Sequence, residues 1–218
     1  IDFDHTKTLV EKWYGDIPNR DEYVRALPLK PEQKELRAKT IVRDVPADSF
    51  YWAYKMPNRT HPDYYKADLL SDILSRGKSS RLYKDLVKDH QLLSEVNAYI
   101  MGSFDEGLLV ITGKLNDEAT QEAVAERLRA IIEDCKTNGV QPEELEKVKN
   151  KVETTKAFTE SNVLNKAMNL SIFELLGKIN WINEEQSFYD QIDVTAMNDF
   201  VKNIFDDQKL SILKVNKK

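Results

Sequence analysis

The chain has 218 residues, with 32 Lys plus Arg against 37 Asp plus Glu, three His, one Cys and a formal net charge of −5. A composition that is 41% hydrophobic and 9% aromatic supplies a packed core for one large domain or two small ones and excludes a disordered tail. The longest aliphatic run, Leu108-Leu109-Val110-Ile111, is far short of the roughly 20 apolar residues of a spanning helix, so no membrane segment is expected. The acidic balance argues against a nucleic-acid partner, whose phosphates are met by Lys and Arg that release counterions. A single cysteine, Cys135, cannot form an internal disulfide and leaves the compartment open. The opening Ile1-Asp2-Phe3-Asp4 has no basic-then-apolar leader pattern.

Residues Asp4 to Tyr14 predict a short helix, with Leu9, Val10 and Trp13 at helical spacing and Gly15 as a stop. From Asp16 to Lys39 the composition turns to Pro18, Pro28, Pro31 and many charges, as expected of an extended linker. Lys39 to Met56 is rich in β-formers on both sides of Pro46-Ala47-Asp48, which predicts two strands and a turn. After Pro57 a helix is expected, capped at Thr60 or His61, with Pro62 in its first turn and Leu69, Leu70, Ile73 and Leu74 as its stripe up to Gly77. Ser79 is expected to cap a second helix carrying Leu82, Leu86 and Val87.

Ser94 to Met101 and Gly107 to Leu115 read as a hairpin around a polar loop. Asn116 is the expected cap of a helix with Val124, Leu128, Ile131, Ile132 and Cys135 on its inner face and Gly139 at its end. Cys135 is then a core residue rather than a nucleophile. Gln141-Pro142-Glu143-Glu144 opens a long helix that reaches Gly177, with room for a break. Another helix follows Asp193, and Leu210 to Val215 alternates as a closing strand. Strands and helices are segregated, which predicts an α+β fold with an antiparallel sheet packed against helices.

Little here carries chemistry. His5, His61 and His90 are scattered, and no two lie four apart on a helix to share a zinc ion. Glu143-Glu144 and Asp206-Asp207 read as solvated faces, because adjacent helical residues point apart. No glycine-rich phosphate loop and no Gly-x-Ser-x-Gly elbow occurs.

The stretch from Leu69 to Asn116, with its Gly77-Lys78-Ser79-Ser80-Arg81-Leu82-Tyr83 segment, resembles the second domain of the pitrilysin/insulinase family of zinc metallopeptidases, which includes the mitochondrial processing peptidases. Gly139-Val140-Gln141-Pro142-Glu143-Glu144-Leu145 is similar to that family's opening of a long helix, and Lys12-Trp13-Tyr14-Gly15-Asp16-Ile17-Pro18 to its junction between first domain and linker. The resemblance implies paired halves enclosing a chamber for unfolded peptides, with a His-x-x-Glu-His zinc helix in an upstream first domain. It divides the chain into a stub of that domain (1–17), a linker (18–38) and a second, non-zinc domain (39–218). The Arg and Tyr with which the family's other half steadies its intermediate correspond here to Val87 and Ser94, neither of which replaces them.

The implied function is therefore a non-catalytic C-terminal domain of a zinc endopeptidase, with a scaffold or assembly subunit as the alternative. No cofactor is expected in this chain, zinc belonging upstream. The implied partners are the first domain, a second homologous half and a peptide substrate, with neither nucleic acid nor membrane. The candidate peptide-binding strand, on condition that it lies at a sheet edge, is Gly107, Leu108, Leu109, Val110 and Ile111.

Overall fold

The computed structural model describes residues 1–18, 32–102 and 104–218; most of the expected linker, with Pro28 and Pro31, and Ser103 of the hairpin loop lie outside them. The chain divides into two units, Ile1–Glu32 and Gln33–Lys218. In the first, α1 (Phe3–Tyr14) starts where the Asp2 carboxylate accepts the His5 backbone N–H at 2.9 Å, and none of its residues is buried.

The second unit begins ahead of its first strand. Gln33 is buried and donates from its amide to the Leu210 carbonyl at 2.8 Å. Five strands follow: β1 (Arg37–Arg43), β2 (Ser49–Met56), β3 (Leu93–Met101), β4 (Gly107–Leu115) and β5 (Leu210–Lys217). They form one sheet in the order β1-β5-β2-β4-β3. Every pairing is antiparallel except β1 with β5, which is parallel. The α+β fold is as the sequence predicts.

Alternation decides which face is buried. Phe50, Trp52, Tyr54 and Met56 of β2 point one way and are buried, as are Leu109 and Ile111 of β4 and Val96 and Ala98 of β3. Against this face pack α2 (Asp63–Ser75), with its buried Leu69, Leu70, Ile73 and Leu74, and α7 (Val194–Ile204). The Arg129 guanidinium of α3 (Gln121–Thr137) lies 5.5 Å from the Trp52 ring, and the Tyr54 and Phe205 rings meet edge-on at 5.1 Å.

Several local expectations are corrected. Pro62 precedes α2 instead of opening it, and the His61 ring accepts the Asp63 N–H at 3.1 Å. Ser79 caps nothing: Ser80 closes the turn on the Gly77 carbonyl, and Ser79 accepts Lys147 Nζ at 2.8 Å. The helix that follows is a π-helix, Tyr83–Asp89. Thr120, not Asn116, caps α3: the Asn116 carbonyl closes a turn on the Ala119 N–H, and α3 begins only at Gln121, where the Thr120 hydroxyl accepts the Ala123 N–H at 3.2 Å. The long helix divides into α4 (Pro142–Glu160) and α5 (Val163–Leu175) where the Asn162 side chain caps a new start, and α6 (Trp181–Asp190) was not anticipated. Its apolar Trp181, Ile182, Phe188 and Tyr189 fall at i, i+1, i+7 and i+8, a helical spacing, but Asn183 to Ser187 between them are all polar.

Candidate peptide-binding face

The predicted binding strand is not at an edge. β4 is hydrogen-bonded to β2 on one side and β3 on the other, so the backbone of Gly107 to Ile111 has no free donors or acceptors for an added strand. What these residues do offer is side chains. Gly107, Leu109 and Ile111 share the helix-covered face, whereas Leu108 and Val110 point to the opposite one.

That opposite face is where the sheet stays open. Its rows follow from the register: Tyr99 of β3, Val110 of β4 and Ala53 of β2 lie side by side, flanked by Met101, Leu108 and Lys55 on one side and by Asn97, Thr112 and Tyr51 on the other. Tyr51, Tyr99 and Met101 on this face are 39%, 41% and 54% exposed. Polar relief comes from Thr112, whose hydroxyl donates to the Phe50 carbonyl at 2.8 Å, and from a Lys114–Glu95 ion pair at 3.0 Å. The edge strand beside this face is β3, paired with a strand on one side only, and its Ala98 carbonyl accepts the Ser75 hydroxyl of α2 at 3.0 Å.

The two positions that correspond to the family's Arg and Tyr bring nothing catalytic here. Val87 packs against the core from the π-helix, and the Ser94 hydroxyl is 3.3 Å from the Lys114 carbonyl. His5 is on α1, His61 precedes α2, and His90 Nε2 is 3.9 Å from Asp85. Among the described residues no group of three or more His, Cys, Asp or Glu is placed to hold a metal. The Cys135 thiol is buried, which pushes its pKa up despite Arg81 Nη1 at 3.2 Å and disfavours the thiolate.

Two polar clusters support the helical layer. Arg81 donates from Nε to Glu144 at 2.9 Å, from Nη1 to Asp134 at 3.2 Å and from Nη2 to the Gly139 carbonyl at 2.7 Å. Elsewhere the Asp68 carboxylate of α2 accepts the Tyr189 hydroxyl of α6 at 2.7 Å, beside a hollow of about 220 Å³ that Asp72, Lys156 and Glu185 also line. Burial raises the pKa of Asp68, against the opposing effect of that hydrogen bond, and likewise raises those of Asp72 and Glu185. The sequence signals neither cluster: Glu143-Glu144 reads as a solvated face, yet Glu144 is held by Arg81 and by the Gln141 backbone N–H, and nothing marks Asp68 as the partner of a tyrosine so distant in the chain.

A family model described as the peptidase M16 inactive domain matches residues 1–152. The zinc protease PqqE of Helicobacter pylori is 30% identical over 144 residues, which cover 65% of this chain and 32% of that protein. The zinc protease YmxG of Bacillus subtilis is 23% identical over 206 residues, covering 94% of this chain and 49% of its own. A solved protease structure from Helicobacter pylori superposes with a TM-score of 0.90 at 21% identity, over 99% of this chain and 53% of that one. The chain thus spans a third to a half of the length of the curated relatives it matches. The zinc in those relatives' names finds no ligand set among the described residues. The resemblance drawn from the Gly77 to Tyr83 and Gly139 to Leu145 segments is borne out: the chain belongs to the peptidase M16 inactive-domain family.

Proposed function

We propose that this chain forms a non-catalytic wall of the substrate chamber of a zinc peptidase, with the zinc and its general base on a companion domain. The observation that supports this reading is the open face around Tyr51, Tyr99 and Met101, apolar and exposed on a sheet whose other face is sealed by helices. An extended peptide laid over it gains apolar contact at Tyr99, Met101 and Leu108, and the edge of β3, beyond the Ala98 carbonyl held by Ser75, offers backbone hydrogen bonds in place of the interior strand β4. Such a surface holds unfolded chains with little regard for sequence, because backbone pairing is common to all peptides.

Titration of the pure chain with a fluorescent, unfolded peptide tests this directly. The peptide should bind and remain intact, with or without added zinc, and Tyr99→Glu with Met101→Glu should weaken binding by about tenfold, equivalent to about 1.4 kcal/mol. Chelator-sensitive cleavage by this chain, or binding indifferent to both substitutions, would defeat the proposal.

A further inference from the structure

The opposite end of the sheet is built differently. β1 is the other edge strand, paired only with β5, and six of its seven residues are exposed, Ile41 alone being half-buried. Both faces of β1 are therefore open, Val42 is 53% exposed, and on the edge away from β5 the Val42 carbonyl accepts only the guanidinium of its own neighbour Arg43, at 2.9 Å, among the described residues. Along one face, at every second position, stand Arg37, Lys39, Ile41 and Arg43.

Charge is concentrated here against the trend of a chain with net charge −5. Arg37, Lys39, Arg43 and Lys217 make no ion pair among the described residues. The neighbouring Lys214, by contrast, reaches Glu122 at 2.8 Å. Arg43 lies directly opposite Lys217 in the parallel register, a like-charge pair that opposes the pairing. The Asp48 carboxylate nearby accepts the Lys217 backbone N–H at 2.7 Å.

We infer that β1 is a docking edge for an extended acidic segment of a separate polypeptide, which adds as a sixth strand. The open edge supplies the backbone pairing. Alternate side chains on a strand are about 6.6 Å apart on one face, so carboxylates at every second position of the added strand meet Arg37, Lys39 and Arg43, with an apolar residue opposite Ile41. A carboxylate beside Arg43 also relieves its repulsion from Lys217. A nucleic acid fits less well, since the groups that need partners are a single row of cations and a strand edge rather than a broad basic surface. The inference is independent of the peptide-binding face, which involves the β3 end of the sheet.

The test uses a labelled nine-residue peptide with Glu at its second, sixth and eighth positions and Val, Ile or Thr elsewhere, together with a control of the same composition whose acids fall on both faces. The matched peptide should bind the chain at low salt, protect β1 amides from hydrogen exchange, and exceed the control by about tenfold in affinity. The combined Arg37→Glu, Lys39→Glu and Arg43→Glu variant, altered only at exposed sites, should lose that binding and instead take the peptide with Lys in place of Glu. Equal affinity for matched and control peptides would overturn the inference, as would unprotected β1 amides. Tighter binding of duplex DNA or of phosphatidylserine vesicles at the same cations would also overturn it.

Discussion

Arg81 joins the start of the π-helix to the end of α3 and the start of α4 through one guanidinium. Its side chain is only 13% exposed and that of Glu144 is 31%, so breaking the pair leaves a charge in a largely dry place. Arg81→Met is expected to destabilise the chain by about 3 kcal/mol, the usual cost of removing one partner of a buried pair. Adding Glu144→Gln should restore part of that loss, and chemical denaturation of both variants measures it. Burial alone would push the Glu144 pKa up, but the Arg81 and Gln141 hydrogen bonds outweigh it and the net shift is downward. A lowered carboxylate contributes stability above its unfolded pKa and loses it as pH falls, so the Arg81→Met penalty should shrink in acid. The Gly77 to Tyr83 motif makes Arg81 conspicuous in the sequence, yet its partners become known only once α3 and α4 are placed.

Between elements, Asp68 and Tyr189 join α2 to α6. Here the sign is reversed. Burial holds Asp68, Asp72 and Glu185 above the usual carboxylate range, so the folded state retains protons that the unfolded chain has released. These groups therefore cost stability as pH rises through that interval. Asp68→Asn keeps an acceptor for the Tyr189 hydroxyl and removes the buried charge. Its melting temperature should exceed that of the wild type at pH 7, with the difference narrowing toward pH 4; a lower melting temperature at both pH values would show that the carboxylate is worth more than its burial costs. The elements it joins were not equally legible. The Leu69, Leu70, Ile73 and Leu74 stripe announces α2, whereas α6 owes its place to rings that meet across the two helices, Tyr65 with Phe188 at 5.1 Å and with Tyr189 at 5.0 Å.

For the whole molecule, the buried cluster lies entirely within the Gln33–Lys218 unit and runs from Phe50 to Ile212 without interruption between sheet and helices. A chain truncated to Gln33–Lys218 should therefore fold alone and unfold in one cooperative transition. Circular dichroism and the fluorescence of Trp52 and Trp181, both inside the unit, should give coincident curves. Separate transitions would mean that the helical layer and the sheet are held by different cores.

The strands, α2, α3 and α7 follow from the sequence because their apolar residues recur with the period of the element they form, and Cys135 falls on the buried stripe of α3 for the same reason. Gly139 is equally legible as a helix stop, since its φ of +73° is readily adopted only by glycine. Strand order is different in kind. Gly107 to Ile111 has the apolar content of a good strand wherever it sits, and only the pairing of β4 with both β2 and β3 decides that it lies inside the sheet. The same is true of β1, whose alternating cations became an exposed edge when β5, the last strand in the chain, came to lie between it and β2. Local periodicity is written in neighbouring residues, whereas edges and open faces depend on contacts between residues far apart in the chain, which only the tertiary structure decides.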